Sequence, residues 1–207
     1  DISQAIEVSA LYGASHVSMY ALTPEDGTPV YTDYLNGELP DSDEVAEQYA
    51  FGVKKLKELG YERYEVSNFC KKGKESRHNL NYWRRGEYIG FGVSASSHIK
   101  NVRFTNTFDL DEYFKCIISN HFAVVDSEEI SPEGRRDEYV MLALRTVAGV
   151  DTEEYEKLFK VLFDREYAAA IEKNKDYLNI TPRRVSIKDE YLFVQNSIII
   201  DFLEERK

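Results

Sequence analysis

The run His78-Asn79-Leu80-Asn81-Tyr82-Trp83 sets one imidazole within five positions of two large aromatic rings, with Arg77 before it and Arg84 and Arg85 after it. An imidazole ligates iron or carries a proton, the rings offer flat apolar surface, and guanidinium groups hold carboxylates. If the run is extended, His78, Leu80 and Tyr82 share one face and Asn79, Asn81 and Trp83 the other. If it is helical, His78 pairs with Tyr82 and Asn79 with Trp83 one turn apart. In both cases an imidazole comes with an aromatic wall. A porphyrin asks for that combination: a neutral imidazole on the iron, aromatic surface against the macrocycle and cations for the propionates. A turn in which Asn79 and Asn81 bond their own backbone while Tyr82 and Trp83 fill a core uses the same residues without any ligand. Spacing alone leaves both readings open.

Other candidates carry less. Gly90 and Gly92 in "GEYIGFGVSA" make a G-x-G, but no helix start follows and no acidic residue stands at the dinucleotide spacing, so a close backbone approach or bulge is the better reading. Cys116 and His121 lie near each other with no further zinc ligands around them. His16 sits beside an apolar run and reads as a hydrogen-bonded core histidine. No nucleophile-elbow sequence supports a hydrolase triad.

The chain that holds these residues is strongly acidic. Its 207 residues carry a net charge of −11, which repels phosphate backbones and anionic lipid, and this turns the reading away from nucleic acid and leaves at most indirect membrane contact. With 43% hydrophobic residues it has enough for one core and a smaller second unit. Cys70 and Cys116 stand far apart, and two free thiols fit a reducing, cytoplasmic compartment. No apolar run approaches a membrane span, and the start "DISQAIEVSA" is no signal peptide. The absence of an initiator methionine and the helical spacing of Ile2, Ala5, Ile6 and Ala10 from the first residues onward give the expectation of a chain cut from a longer one. Such a chain is expected to expose a sheet edge and to form a homodimer through it.

The elements read as α/β followed by mainly α. After the first helix, "HVSMYAL" (16–22) reads as a buried strand. Asp41 and Ser42 cap a helix whose Val45, Tyr49, Val53, Leu56 and Leu59 share a face and which stops at Gly60. Residues 61–70 and 87–93 read as two further strands. Helices then follow around Leu110–Ile118, through "RDEYVMLALRTVAGV" with Val140, Leu144 and Val147 in phase, and from Asp151 with Tyr155, Leu158, Phe159 and Leu162 as the stripe. A strand pair near 184–194 and a last helix with Ile198 and Phe202 suggest a winged-helix-like end. The boundary is expected near 100–108, dividing the chain into 1–103 and 104–207.

The stretch "GYERYEVSNFCKKGKESRHNLNYWRRGEYIGFGVSA" resembles the oxygen-independent coproporphyrinogen III oxidase-like branch of the radical S-adenosylmethionine proteins, the HemW/HemN family, and above all its haem-chaperone members. The likeness continues upstream through "HVSMYALTPEDGTPVY" and, more weakly, downstream to the end. It implies the last elements of a partial (β/α)6 barrel followed by a helical HemN-type C-terminal domain. "HNLNYW" matches the HNxxYW motif to which haem binding is attributed in the chaperone members. The resemblance therefore implies haem as the bound group, His78 as the ligand of its iron, Asn79, Tyr82 and Trp83 as further contacts, and recipient haem proteins as partners. Thr23 and Ser96 fall where the barrel contacts S-adenosylmethionine. After the G-x-G this chain reads Val93-Ser94-Ala95-Ser96-Ser97, nearer to the oxidase than to the glycine–alanine–histidine of many chaperones, with His98 two positions later.

The family's CxxxCxxC motif, which holds a 4Fe–4S cluster, is not in the chain. The cluster and S-adenosylmethionine are thus expected in the full-length parent only, and this chain alone is expected to be catalytically inactive. Three readings follow: the C-terminal part of a haem chaperone, the same part of an oxidase that decarboxylates two propionates of a porphyrin precursor, or a non-catalytic winged-helix module.

Overall fold

The computed structural model describes residues 2–204 and opens with α1 (Ile2–Leu11), whose buried residue is Ile6. β1 (His16–Ser18) follows, and α2 (Pro29–Leu35) comes next in the segment that carries the turn residues after it. α3 (Ser42–Glu58) is the best-determined helix of the sequence. Asp41 accepts hydrogen bonds from the amides of Asp43 and Glu44, while the Glu44 carboxylate accepts from the amide of Asp41, so that several of the helix's free N–H groups are satisfied. Its Tyr49 and Leu56 are buried with Ile6, Tyr61 and Phe69, and these make the first core.

The single strand expected over 61–70 is a hairpin, β2 (Glu62–Arg63) and β3 (Asn68–Cys70). The Glu65 carboxylate accepts from the amide of Ser67 at 3.1 Å and closes the turn, which a count of alternating residues does not register. β3 is the middle strand of the first sheet, in the order β1-β3-β2, with both pairings antiparallel and β1 at the edge.

α4 (Arg77–Trp83) carries the imidazole and its aromatic neighbours. The strand expected over 87–93 is not formed. Only an isolated bridge between Tyr88 and His98 remains, because the backbone turns at Gly92 (φ 110°) and Ser94 (φ 61°). Gly90 does show the close approach anticipated for it, since a Cβ there would lie 2.3 Å from the carbonyl oxygen of Ser96. The strands come later, as β4 (Ser96–Ile99) and β5 (Val102–Asn106). After α5 (Leu110–Ile118), β6 (Val124–Glu129) completes a second antiparallel sheet in the order β4-β5-β6. The division drawn at 103/104 falls inside β5, within that sheet.

α5 is turned opposite to the usual sense. Leu110, Phe114, Ile117 and Ile118 share one stripe and all are exposed, while Tyr113 and Cys116 face inward. Phe108 before it and Phe122 after it are exposed as well.

The second core gathers around α6 (Pro132–Ala143), which starts at the cap Ser131 and ends four residues before Val147, leaving that side chain 40% exposed. β7 (Val150–Asp151) leads into α7 (Thr152–Phe159), capped by Asp151, whose carboxylate accepts from the amide of Glu154 at 3.0 Å. α7 stops when Lys160 takes a left-handed conformation, so of the expected stripe Tyr155 is buried while Leu158 and Leu162 point outward. α8 (Phe163–Glu166) and α9 (Ala168–Asn174) follow. The strand pair is β8 (Leu178–Thr181) and β9 (Arg184–Ile187), earlier than expected, and residues 189–194 form a tight helical turn before α10 (Gln195–Glu204). Val140, Leu144, Tyr155, Phe163, Tyr167 and Phe202 fill this core. Phe193 stacks on Tyr49 at 4.5 Å between ring centres, and Arg63 bonds Asp189, so the C-terminal part is fastened to the first sheet. Among the described residues no helix is long and apolar enough to cross a membrane.

Candidate functional site

α4 is a helix because Ser76, in an extended conformation, accepts from the amide of Asn79 at 3.2 Å and starts it. Helical spacing decides between the two arrangements open from sequence. His78 and Tyr82 lie one turn apart with ring centres at 4.8 Å and planes at 88°. Asn79 and Trp83 occupy a different side. The Asn79 side chain donates from Nδ2 to the Tyr64 hydroxyl at 3.4 Å, which in turn lies 2.9 Å from Nε2 of His16. His16 is thus a hydrogen-bonded structural histidine. Burial pushes the Tyr64 phenol above its usual range, with the Asn79 bond acting in the opposite sense. Trp83 and Leu80 line a cleft of about 790 Å³ between α4 and α6, together with Tyr64, Tyr139, Thr146 and Arg184.

The structure therefore brings His78 and Tyr82 together and separates Trp83 from them. It adds a member that the sequence did not disclose. Tyr88 sits edge-on to Tyr82 at 4.7 Å, and the His98 ring lies 6.1 Å beyond Tyr88, so four rings run from the exposed His78 to the buried His98. The turn after α4 is held by Asn81, whose side chain donates to the Glu87 carbonyl at 3.0 Å and whose own carbonyl accepts from Gly86 at 2.8 Å. Asn81 thus serves the backbone, as the ligand-free reading has it, while His78 and Tyr82 face outward.

The arginines divide too. Arg77 and Arg84 are exposed and available to an anionic group. Arg85 is not: its Nε donates to Glu138 at 2.7 Å and its Nη1 to Asn101 at 3.0 Å, and Arg103 reaches the other oxygen of Glu138 at 2.5 Å. Burial raises the affinity of Glu138 for a proton, but the two guanidiniums outweigh it and hold the carboxyl below its ordinary 4.5. A carboxyl depressed in the folded state stabilises the fold above the ordinary value, and the contribution is lost as pH falls through the depressed one. Glu138→Gln is expected to cost about 2 kcal/mol near neutral pH, most of it through Arg85 because Arg103 is half exposed. Chemical denaturation of both proteins should show the difference shrinking below pH 4.5.

Glu65 is fully buried with one carboxylate oxygen unpartnered among the described residues, and burial raises its pKa against the hydrogen bonds from Ser67 and Asn68. Thr23 is exposed in the coil after β1, and Ser96, exposed on β4, bonds Thr105 through its hydroxyl at 3.0 Å. Cys70 is buried on β3 and Cys116 half-buried on α5. Among the described residues no three His, Cys, Asp or Glu side chains are grouped to hold a metal ion. Two thiols on separate elements do not make the donor set of a 4Fe–4S cluster. A single exposed imidazole fits one axial position on a haem iron, and among the described residues the His78 ring has no hydrogen-bond partner.

No family model matches the chain. It is 32% identical over 192 residues to the heme chaperone HemW of Lactococcus lactis, covering 91% of this chain and 50% of that one. The heme chaperone HemW of Bacillus subtilis is 33% identical over 156 residues, covering 74% of this chain and 41% of that one. The mitochondrial radical S-adenosyl methionine domain-containing protein 1 of Bos taurus is 31% identical over 153 residues, covering 69% of this chain and 34% of that one. The chain spans half the length of the Lactococcus protein, or less than half of the other two. Among solved structures, the coproporphyrinogen III oxidase HemN of Escherichia coli, a radical SAM enzyme, superposes with a TM-score of 0.75 at 15% identity over 98% of this chain and 51% of its own. In sequence the chain is thus HemW-like over most of its length, and its fold is that of one half of a HemN-type radical S-adenosylmethionine protein.

Proposed function

We propose that this chain is the haem-handling part of a HemW-like chaperone, with haem as cargo held at His78 for delivery to recipient haem proteins. The observation that supports it is the outward-facing His78 imidazole, without a hydrogen-bond partner among the described residues and braced edge-on by Tyr82. The iron of a bound haem accepts a lone pair from a neutral imidazole. The chain's part is to present that nitrogen, to offer the Tyr82 and Tyr88 rings as apolar surface, and to set the exposed Arg77 near the propionates, while Arg84 lines the cleft beside Trp83. Asn79 and Trp83 act one step back, anchoring α4 through Tyr64 and the cleft. Haem titration of the wild type against His78→Ala tests the reading.

The cluster and S-adenosylmethionine belong, in this proposal, to the other half of a full-length relative, with Thr23 and Ser96 contacting S-adenosylmethionine from this side and 1–103 as the barrel-derived part. Anaerobic treatment of this chain with iron and sulfide is expected to give no stable 4Fe–4S absorption and no 5′-deoxyadenosine. Stoichiometric cluster iron would contradict it. The exposed stripe of α5 and the free edge of β1 are the surfaces through which self-association would run.

A further inference from the structure

His98 stands out because its burial is chemically costly. It is 4% exposed, and its Nε2 has no hydrogen-bond partner among the described residues. Its Nδ1 lies 3.3 Å from the carbonyl oxygen of Gly86. A carbonyl only accepts, so Nδ1 carries the hydrogen and Nε2 is left with a bare lone pair in the interior. Burying an unsatisfied nitrogen is unfavourable, and a phenylalanine of similar volume would pack without that cost. The imidazole therefore has a use beyond filling space, and the use is at Nδ1.

What Nδ1 holds is the turn that leads out of α4. Gly86 also donates its amide to Asn81, inside α4, so the Gly86 carbonyl is the point at which β4 grips the end of that helix. The backbone of His98 grips the next segment: its amide donates to the Tyr88 carbonyl and its carbonyl accepts from the Tyr88 amide, both at 2.9 Å. One residue thus fixes Gly86 through its side chain and Tyr88 through its main chain. Tyr88 in turn faces Tyr82 at 4.7 Å, and Tyr82 faces His78 at 4.8 Å.

We propose that His98 is a positioning residue for the haem site: its Nδ1 holds the Gly86 turn that leads into Tyr88, which keeps Tyr88 against Tyr82 and so fixes the direction in which the His78 imidazole points. This rests on the reading of His78 as the iron ligand. The ring of His98 does not touch the macrocycle; it acts through Gly86 and Tyr88.

The experiment compares His98→Asn, whose amide nitrogen replaces Nδ1 as a donor, with His98→Phe, which keeps the ring and loses the donor. The first readout needs no haem: the His78 ring protons in a two-dimensional NMR spectrum, displaced by the ring current of Tyr82. They are expected to stay in place in His98→Asn and to move toward their unfolded-chain positions in His98→Phe. The second readout is haem affinity, expected to fall about tenfold in His98→Phe and to stay within about twofold of wild type in His98→Asn. Tyr88→Leu, which leaves the Gly86 bond intact, should reproduce the His98→Phe result in both. His78 signals unmoved in His98→Phe and Tyr88→Leu would overturn the proposal whatever the haem data show. Signals that move as expected, with wild type and His78→Ala binding haem alike, would uphold the positioning link and overturn the haem reading on which its purpose rests.

Discussion

Gly149→Ala is expected to lower the unfolding free energy by about 3–5 kcal/mol, a large share of the roughly 5–15 kcal/mol available to a folded domain. Two causes add. Gly149 has φ 66°, where a side chain strains the backbone by about 1–2 kcal/mol. A Cβ there would also lie 2.3 Å from the carbonyl oxygen of Val185 and 2.4 Å from Cβ of Ser186. Both belong to β9, whose Val185 pairs with Val150 of β7 and lies in the second core, so β9 must move away from β7 and open the packing beneath it. Gly73 provides the comparison, since it has φ 73° but no atom of the described residues within 4 Å of the added carbon. Gly73→Ala should therefore cost only the backbone strain, about 1–2 kcal/mol. Urea titrations of the two variants separate the contributions, and equal midpoints would show that the approach of β9 to the turn is not as tight as described.

What could be read from the residues follows the reach of the interactions involved. α3 was legible because its start, stripe and stop are all local: the Asp41 cap, the phase of Tyr49 and Leu56, and Gly60 after the last turn. α5 was legible as a helix but not in its orientation, because periodicity marks an apolar stripe without saying what covers it, and here Leu110, Phe114 and Ile118 face outward. "EYIGFGV" has the composition of a strand, yet its pairing depends on Gly92 and Ser94 turning the chain, and the strands that do form, around Ser97 and Phe104, have no comparable apolar run. At the site, both arrangements open to the sequence set His78 and Tyr82 on one side, and the Ser76 cap selects the helical one. Tyr88 and His98 were beyond reach, since their place beside the pair comes from a bridge between segments ten residues apart, with no periodic signal. Trp83 stands on the side away from His78 and Tyr82 in both the extended and the helical reading, and in the structure that side faces the cleft beside α6.

The second large effect is on haem binding. Wild-type protein titrated with haem is expected to show a shifted Soret band from axial imidazole coordination, and His78→Ala should lose that band and about 100-fold in affinity, some 2.8 kcal/mol, with its unfolding curve unchanged because His78 is exposed. Trp83→Ala, on the cleft side of α4, should destabilise the protein and leave the band in place. The decisive control is His121→Ala, because His121 is also an exposed imidazole and would bind haem equally if exposure alone were enough. His121→Ala is expected to titrate as wild type while His78→Ala does not. Identical Soret titrations for wild type and His78→Ala, or loss of the band in His121→Ala, would contradict it.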